Sequence, residues 1–413
     1  MKIYKFGGAS VKDATGVKNL LKVLESTGSE NLLIIISAMG KTTNAMEIVV
    51  SEYLETGTFN LNPVQEYHYQ ILNGLFDNKN AIVFSKVEKQ FAELKNFLTH
   101  NKSTQYDFVY DQVVSFGELI STKIVSEYLN ENGLENRWMD ARSLVKTDER
   151  YRYANVLWDE TRENIVKAVN GKLIITQGFI GADSNNFTTT LGREGSDYSA
   201  AIFGSCLNAE KVVIWKDVPG ILNADPRVFA DTRLLSEISY EEAIELAFYG
   251  ASVIHPKTLQ PLEQKEIPLH VKSFLNPTEK GSVVCKMEGL NPWIPCFIVK
   301  QNQVLISLRS LNFSFMAEEN LGEIFKLFHS YQIKVNMIQN SAITFSVCVD
   351  DNFNNLEPLI QHLKAKFKVD YIKDVSLYTI RHYNVDAVKQ IEASKEILIK
   401  QISTQTFQIV AKA

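Results

Sequence analysis

Runs of consecutive apolar residues that end in small polar or glycine loops constrain the fold of this chain most strongly. Residues 31–37 read Asn-Leu-Leu-Ile-Ile-Ile-Ser, and comparable runs lie at 172–182 and 211–215. A strand that is apolar on both sides is buried on both faces, which is typical of a parallel sheet. The chain is therefore predicted to be an α/β protein that binds its ligands at the carboxyl ends of the strands.

The first ten residues, Met-Lys-Ile-Tyr-Lys-Phe-Gly-Gly-Ala-Ser, indicate a ligand site at the start of this sheet. Residues 2–6 form a predicted strand, Gly7 and Gly8 end it, and a helix is expected from Val11 onward. Two glycines let backbone N–H groups approach a ligand, while the helix N-terminus and Lys5 add positive potential. That assembly suits a polyphosphate. A plain strand, turn and surface lysine is the alternative, because the P-loop spacing is absent.

Two further stretches place a charged residue beside glycines. Glu118 follows a glycine where a helix is predicted to begin, and an acid that merely favours the helix N-terminus is the simpler local interpretation. Arg193 lies in Gly-Arg-Glu-Gly-Ser-Asp at 192–197, where its planar guanidinium suits a carboxylate or phosphate. Ser196 or Asp197 could simply be the N-cap of the helix that follows.

Length, charge and cysteine content exclude several classes of protein. A chain of 413 residues is expected to form two or three domains, and its net charge of −5 argues against a general nucleic-acid binder. The four cysteines lie far apart in the sequence, so neither a zinc site nor a disulfide framework is predicted. No signal-peptide pattern or membrane-length apolar run occurs, and a cytoplasmic protein is expected.

A short Pro-rich linker at 289–295 separates two regions of different pattern. Residues 1–290 carry the α/β pattern, and residues 296–413 are expected to be α+β. Within the second region, strands and helices from 304 to about 373 follow the order β-α-β-β-α-β, which is ferredoxin-like. A helix over about 385–402 and a strand at 406–410 are predicted next, as in a shortened second copy.

Five motifs together resemble the aspartate kinases (aspartokinases) of the amino acid kinase superfamily. They are Lys-Phe-Gly-Gly-Ala-Ser-Val at 5–11, Ser-Phe-Gly-Glu at 115–118, Gly-Arg-Glu-Gly-Ser-Asp-Tyr at 192–198, Trp-Lys-Asp-Val-Pro-Gly at 215–220 and Asp-Pro-Arg at 225–227. The second and third are the most specific to that family. The resemblance covers essentially the whole chain, because the C-terminal region is similar to the paired ACT regulatory modules of aspartokinases.

The resemblance implies a three-layer αβα sandwich around a mostly parallel sheet in residues 1–290. It implies ACT modules at about 304–373 and at 374–413, the second completed by a strand near 297–302. It also implies a homodimer that transfers the γ-phosphoryl group of ATP to the β-carboxylate of L-aspartate. The product, 4-phospho-L-aspartate, begins the route to lysine, threonine and methionine. Feedback by threonine or lysine at the ACT region is expected, although Ala342 replaces an acid common in lysine-inhibited relatives.

The family pattern also implies roles for individual residues. Lys5 and Asp197 are expected at the reaction centre. The residues expected to hold aspartate are Thr43, Glu118, Arg193 and Ser196. The residues expected to contact ATP are Lys5, Phe6, Gly7, Gly8, Lys216, Asp217, Leu222, Arg227 and Ser252. Mg²⁺ is expected to be held mainly by the ATP phosphates, without a metal site built from protein ligands.

Two departures from the family pattern concern charge at this site. Ser252 stands where many aspartokinases have lysine, and Lys216 stands where they have threonine. Either Lys216 or Lys257 is a candidate to supply the missing positive charge. Glu194 replaces a common glycine and adds a negative charge beside Arg193, with an effect that the sequence leaves open.

Two other functions compete with aspartate phosphorylation. One is a related kinase acting on glutamate, acetylglutamate or UMP, against which Glu118 and the ACT region argue. The other is a catalytically inactive amino-acid sensor, against which the intact set Lys5, Glu118, Arg193 and Asp197 argues.

Overall fold

The computed structural model describes residues 1–251, 254–311, 315–351, 353–393 and 395–412. The chain divides into two compact units. The first unit comprises Met1–Ile221, Leu234–Ile244 and Val253–Pro292, and the second unit comprises Leu222–Arg233, Glu245–Ser252 and Trp293–Ala413.

A nine-stranded sheet forms the centre of the first unit, with a separate two-stranded hairpin beside it. The strands are β1 (Lys2–Phe6), β2 (Leu32–Ile36), β3 (Arg137–Trp138), β4 (Ile174–Gln177), β5 (Ile180–Ala182), β6 (Thr188–Thr190), β7 (Lys211–Lys216), β8 (Glu237–Ser239), β9 (Leu269–Ser273), β10 (Ser282–Cys285) and β11 (Leu290–Asn291). The sheet order is β11-β8-β10-β9-β7-β1-β2-β4-β3, and β5 pairs with β6 in the hairpin. All neighbours from β3 to β9 run parallel, which confirms the predicted α/β architecture.

Helices cover both faces of this sheet. They are α1 (Ala14–Thr27), α2 (Thr42–Thr56), α3 (Asn62–Leu75), α4 (Ile82–His100), α5 (Tyr106–Val114), α6 (Phe116–Glu131), α7 (Trp158–Ala168), α8 (Gly195–Leu207), α9 (Tyr240–Tyr249) and α10 (Pro256–Glu263). One of them, α9, is divided between the two units. Alternate residues of β1 face opposite sides of the sheet. Tyr4 and Phe6 therefore join the core beneath α1, whereas α8 packs on the other face, where its Gly204 meets Val212.

In the first unit one predicted helix start is wrong, and an alternative considered for a second helix start is excluded. The helix expected from Val11 begins at Ala14, because residues 8–11 form a 3-10 turn and Asp13 accepts a hydrogen bond from the Gly16 amide at 2.8 Å. Neither Ser196 nor Asp197 caps α8. Glu194 occupies the N-cap position in a left-handed conformation (φ 54°), which places the other two residues inside the first helical turn.

The second unit contains a six-stranded antiparallel sheet with helices. Its elements are β12 (Cys296–Ser310), α11 (Glu318–Ser330), β13 (Lys334–Asn340), β14 (Thr344–Asp350), α12 (Leu356–Lys364), β15 (Phe367–Arg381), α13 (Val385–Glu392), β16 (Glu396–Ile402) and β17 (Thr406–Lys412). The strand order is β13-β14-β12-β15-β17-β16, and its first four members have the ferredoxin-like arrangement. A single strand, β12, runs through both 297–302 and 304–308.

The helix predicted over 385–402 is wrong in its second half. Helix α13 ends at Glu392, and residues 396–402 form β16, which pairs antiparallel with β17. Strands β16 and β17 form a β-hairpin, and β17 also pairs with β15, so the sheet context overrides the local helical pattern. Among the residues that the structure describes, no helix is both long enough and apolar enough to cross a membrane.

Candidate active site

One cavity of about 520 Å³ in the first unit gathers most of the residues predicted to act on substrate. It is lined by eight of them, namely Lys5, Gly8, Thr43, Glu118, Arg193, Ser196, Asp197 and Lys216. Lys5 and Lys216 lie near the carboxyl ends of the adjacent parallel strands β1 and β7. The cavity therefore lies where an open α/β sheet binds ligands.

A buried carboxylate holds two lysines together at the centre of this cavity. The Lys5 Nζ atom lies 2.6 Å from Asp197 Oδ1, and the Lys216 Nζ atom lies 3.5 Å from Asp197 Oδ2. Asp197 is only 3% exposed. Burial alone raises the pKa of Asp197, but the charges of Lys5 and Lys216 outweigh it and hold the pKa below its usual value. The cluster therefore carries two cations for one anion, and its excess positive charge can attract phosphate.

Gly8 lets two loops of the site approach each other closely. The Gly40 amide donates a hydrogen bond to the Gly8 carbonyl at 3.0 Å. A Cβ atom on Gly8 would lie 2.7 Å from the carbonyl oxygen of Ala38 and 2.9 Å from that of Gly40. Since both neighbours are backbone atoms, any side chain at Gly8 would push the loop after β2 away from Lys5.

Glu118 is buried with half of its carboxylate unsatisfied. The side chain lies in the first turn of α6, and its Oε1 atom accepts a hydrogen bond from the Ala38 amide at 3.2 Å. The Oε2 atom is buried and has no partner in the described part of the chain. Burial raises the pKa of Glu118 to about 8, against the opposing effects of the Ala38 hydrogen bond and the Lys5 charge. Glu118 does lie in the first helical turn, as the simpler local interpretation expects, but that position alone does not explain its burial and its unsatisfied oxygen.

Arg193 and Glu194 give the mouth of the cavity opposite charges. Arg193 is exposed and forms no ion pair or hydrogen bond with any residue that the structure describes, so its guanidinium is available to a ligand. Glu194 has a buried Oε2 atom without a partner among those same residues. Ser196 packs tightly behind this loop, because a Cβ atom on Gly178 would lie 2.6 Å from its side chain.

Of the six remaining predicted ATP-contacting residues, the five that the structure describes do not line this cavity. The Phe6 side chain is fully buried and stacks on Trp215 with ring centroids 6.0 Å apart, so it belongs to the core. Gly7 adjoins the Lys5 ammonium, and Asp217 is exposed after β7. Leu222 and Arg227 belong to the second unit, where Arg227 pairs with Asp225 at 2.6 Å. Ser252 lies outside the described residues.

Of the two lysines considered as replacements for the missing charge, the cavity contains Lys216. Lys257 does not line it. The Lys257 ammonium lies 4.6 Å from the centroid of the Tyr198 ring and donates a hydrogen bond to the Leu191 carbonyl at 3.3 Å.

Arg152 is the main cavity residue that sequence reasoning missed. Its guanidinium lies 4.3 Å from the Tyr110 ring centroid and 3.3 Å from Glu47 Oε1. Asp111 fixes this segment by accepting hydrogen bonds from the amides of Arg152 and Thr190, at 2.9 and 2.7 Å. No glycine motif surrounds Arg152, and only the alternation of basic and aromatic residues at 150–153 could have indicated it.

Comparison with known proteins identifies the family. The model of the amino acid kinase family matches residues 1–273. The lysine-sensitive aspartokinase 3 of Escherichia coli is 32% identical over 392 residues, which cover 92% of this chain and 86% of that protein. The chain belongs to the aspartokinases of the amino acid kinase family.

Solved structures of this family have the same fold. Aspartokinase III of E. coli in complex with aspartate and ADP matches with a TM-score of 0.82 and 28% identity, covering 100% of this chain and 96% of that one. The complex of the same enzyme with lysine and aspartate also gives a TM-score of 0.82 at 28% identity, with coverages of 99% and 95%. These matches confirm the predicted family and fold class.

Proposed function

We propose that this aspartokinase transfers the γ-phosphoryl group of ATP to the β-carboxylate of L-aspartate, giving 4-phospho-L-aspartate and ADP. The observation that carries the proposal is the cavity in which the Lys5–Asp197–Lys216 cluster lies together with the half-satisfied Glu118 and the unpaired Arg193. ATP and aspartate together require three kinds of group: cations that bind phosphate, an anion that binds the ammonium group and a guanidinium that binds the α-carboxylate.

The chemical task of the site is to bring an anion to a polyanion. A β-carboxylate with a pKa near 3.9 is ionised at pH 7, so no general base is needed. Catalysis then consists of positioning and charge neutralisation. Lys5 and Lys216 stabilise the negative charge of the transferring phosphoryl group. Asp197 holds both ammonium groups in place, and backbone N–H groups of Gly7 and Gly8 bind phosphate oxygens.

Aspartate is held by its α-carboxylate and α-ammonium groups, at the end of the molecule opposite the reacting β-carboxylate. Arg193 binds the α-carboxylate through paired hydrogen bonds, and the free Oε2 atom of Glu118 accepts from the α-ammonium group. Thr43 and Ser196 donate further hydrogen bonds. Burial of Glu118 makes the binding selective for a ligand with an ammonium group, because a carboxylate taken out of water is stabilised by a positive charge.

ATP binds with Mg²⁺ that is held mainly by its phosphates. The part of the chain that the structure describes contains no group of three or more potential metal ligands, and the Asp197 carboxylate is already occupied by two lysines. Bound Mg²⁺ supplies further charge neutralisation. The resemblance to the family further implies Asp217, Leu222, Arg227 and Ser252 as nucleotide contacts, and in this proposal Phe6 contributes backbone only.

Regulation belongs to the second unit in this proposal. Residues 304–373 and 374–413, the latter with the strand segment at 297–302, form paired ACT modules that bind an amino-acid effector and join two chains as a homodimer. The E. coli relative is described as lysine-sensitive. Because Ala342 offers no acid to a lysine side chain, threonine is the competing effector for this chain.

Trapping the acyl phosphate with hydroxylamine tests the proposed reaction directly. The chain incubated with ATP, Mg²⁺ and L-aspartate should produce aspartyl hydroxamate, and Lys5→Ala should abolish it. ATP binding by a folded protein that forms no hydroxamate would instead support the amino-acid sensor.

A further inference from the structure

A second groove of about 640 Å³ lies on the opposite face of the same sheet from Lys5. We call it the lysine groove and define it by Lys2, Lys211, Lys272 and Lys280 at its walls, with Tyr4 and Trp215 among its other lining residues. Side chains alternate along β1 and β7, so Tyr4 and Trp215 point away from the face that carries Lys5 and Lys216. The lysine groove is therefore separate from the active-site cavity.

Positive charges are concentrated in the lysine groove although the chain as a whole is acidic. The four lysines face a single lining acid, Glu237, so the lining carries a net charge of +3, compared with −5 for the whole chain. Lys2 and Lys211 are direct cross-strand neighbours in the register of β1 and β7. Like charges in that position destabilise a sheet unless a ligand offsets them.

Little within the described protein compensates these charges. Lys2, Lys211 and Lys280 form no ion pair with any described residue. Lys272 donates a hydrogen bond to the carbonyl of Pro277 at 2.9 Å, and its ammonium lies 5.4 Å from the centroid of the Trp215 ring. His270, between the strands that carry Lys211 and Val283, has a pKa lowered to about 4 by burial and by the charges of Lys211 and Lys272. The imidazole is thus neutral at pH 7 and adds no charge of its own.

An unsatisfied buried donor also belongs to this lining. Trp215 is 1% exposed, and its Nε1–H group is buried without an acceptor in the described part of the chain. A buried donor without an acceptor costs free energy comparable to a lost hydrogen bond. An oxyanion in the lysine groove would provide the negative charge that its lining lacks, and it would lie beside the Trp215 indole.

We propose that the lysine groove is a second, non-catalytic site that binds a small anion carrying two or more phosphate groups. Such an anion matches a lining charge of +3 better than a monoanion does. A nucleic acid is disfavoured because the net charge of the whole chain would repel it beyond the groove.

Counting pyrophosphate sites separates the lysine groove from the active site. Inorganic pyrophosphate is titrated calorimetrically at low ionic strength into the full chain, into Lys211→Gln/Lys280→Gln and into Lys5→Ala/Lys216→Ala. We expect two sites in the unmodified chain. The first double variant should weaken groove binding at least about tenfold, since two charged contacts are lost, and the second should retain it. The matched control, Lys95→Gln/Lys102→Gln, removes two exposed lysines elsewhere and should bind as the unmodified chain does.

The indole N–H resonance of Trp215 gives an independent readout, assigned by its loss in Trp215→Phe. Pyrophosphate should shift this resonance in the Lys5→Ala/Lys216→Ala variant, whose active-site lysines are gone. The proposal is overturned if the Lys5→Ala/Lys216→Ala variant binds no pyrophosphate, or if Lys211→Gln/Lys280→Gln binds it at two sites as the unmodified chain does. Retained aspartate kinase activity in Lys211→Gln/Lys280→Gln shows that this variant is folded.

Discussion

Replacing Glu118 by glutamine isolates what one buried carboxyl group contributes to substrate binding. Glu118 is 2% exposed, its Oε2 atom has no partner in the described structure, and its pKa is raised to about 8, first by burial. In the proposed complex the aspartate ammonium group binds the ionised form. Without substrate, only about a tenth of the molecules carry that form at pH 7 and about a hundredth at pH 6.

The pKa of Glu118 sets the size of the expected effect. Apparent affinity is reduced by the fraction of protein in the competent form. The Kd for aspartate should therefore fall about tenfold from pH 6 to pH 7 and level off above pH 8. Binding at pH 7 should release about 0.9 proton per site, as the ammonium group drives Glu118 to ionise. Glu118→Gln should lose this pH dependence and bind about 10- to 100-fold more weakly at pH 8, because a charged hydrogen bond is gone.

Calorimetry in two buffers of different ionisation enthalpy measures the Kd and the proton release together. Glu131→Gln, at the exposed end of the same helix, is the matched control and should behave as the unmodified chain does. A Kd that is constant between pH 6 and pH 8, with no proton released, would refute the role assigned to Glu118.

The same raised pKa predicts a pH dependence of stability with a definite sign. The unfolded chain ionises Glu118 near pH 4.5, whereas the folded chain resists ionisation until about pH 8. Glu118 therefore reduces the free energy of unfolding as pH rises between these values, by up to about 5 kcal/mol at pH 8. Glu118→Gln should gain stability relative to the unmodified chain over this range, as measured by urea unfolding at pH 5 and pH 8. An equal difference at both pH values would contradict the assigned pKa.

Three other substitutions test the remaining parts of the site. Lys216→Ala should raise the KM for ATP at least about tenfold, because Lys216 lines the cavity, whereas Lys257→Ala should leave the KM unchanged. Equal KM values for both variants would contradict the role assigned to Lys216. Gly8→Ala should lower the free energy of unfolding by about 1–3 kcal/mol, because the added Cβ atom clashes with backbone atoms. A Cβ atom on Gly322 meets no neighbour, so Gly322→Ala should not lower it, and calorimetric melting measures the difference. Asp197→Asn should lower kcat about 100-fold in a steady-state assay, since both lysines lose their anchor, and a normal kcat would contradict that function.

The parts of the fold that depend on local pattern could be predicted from the sequence. Strands β1 and β2 and the glycine loop follow from apolar runs and from glycines that permit close backbone contact. The start of α1 could not be placed correctly, because the 3-10 turn and the Asp13 cap determine it. Residues 396–402 form a strand and not the expected helix, because they pair in a hairpin with β17, which is itself held by its pairing with β15.

The site could be predicted where a motif marks it, and less well where distant segments complete it. Lys5, Arg193 and Asp197 lie within recognisable motifs. The burial of Glu118 depends on the loop around Ala38, which is 80 residues away in sequence. Arg152 depends on Asp111 and on an aromatic ring, with no motif around it. The core position of Phe6 could have been predicted, because strand alternation turns its side chain away from the face of Lys5.

Aspartate-dependent ADP release is the measurement that tests the central claim most directly. With ATP and Mg²⁺ present, L-aspartate should support turnover, whereas glutamate, acetylglutamate and UMP should not, and Lys5→Ala should abolish the activity. Folded protein that binds ATP but releases no ADP with aspartate, or that prefers another acceptor from this set, would contradict the account.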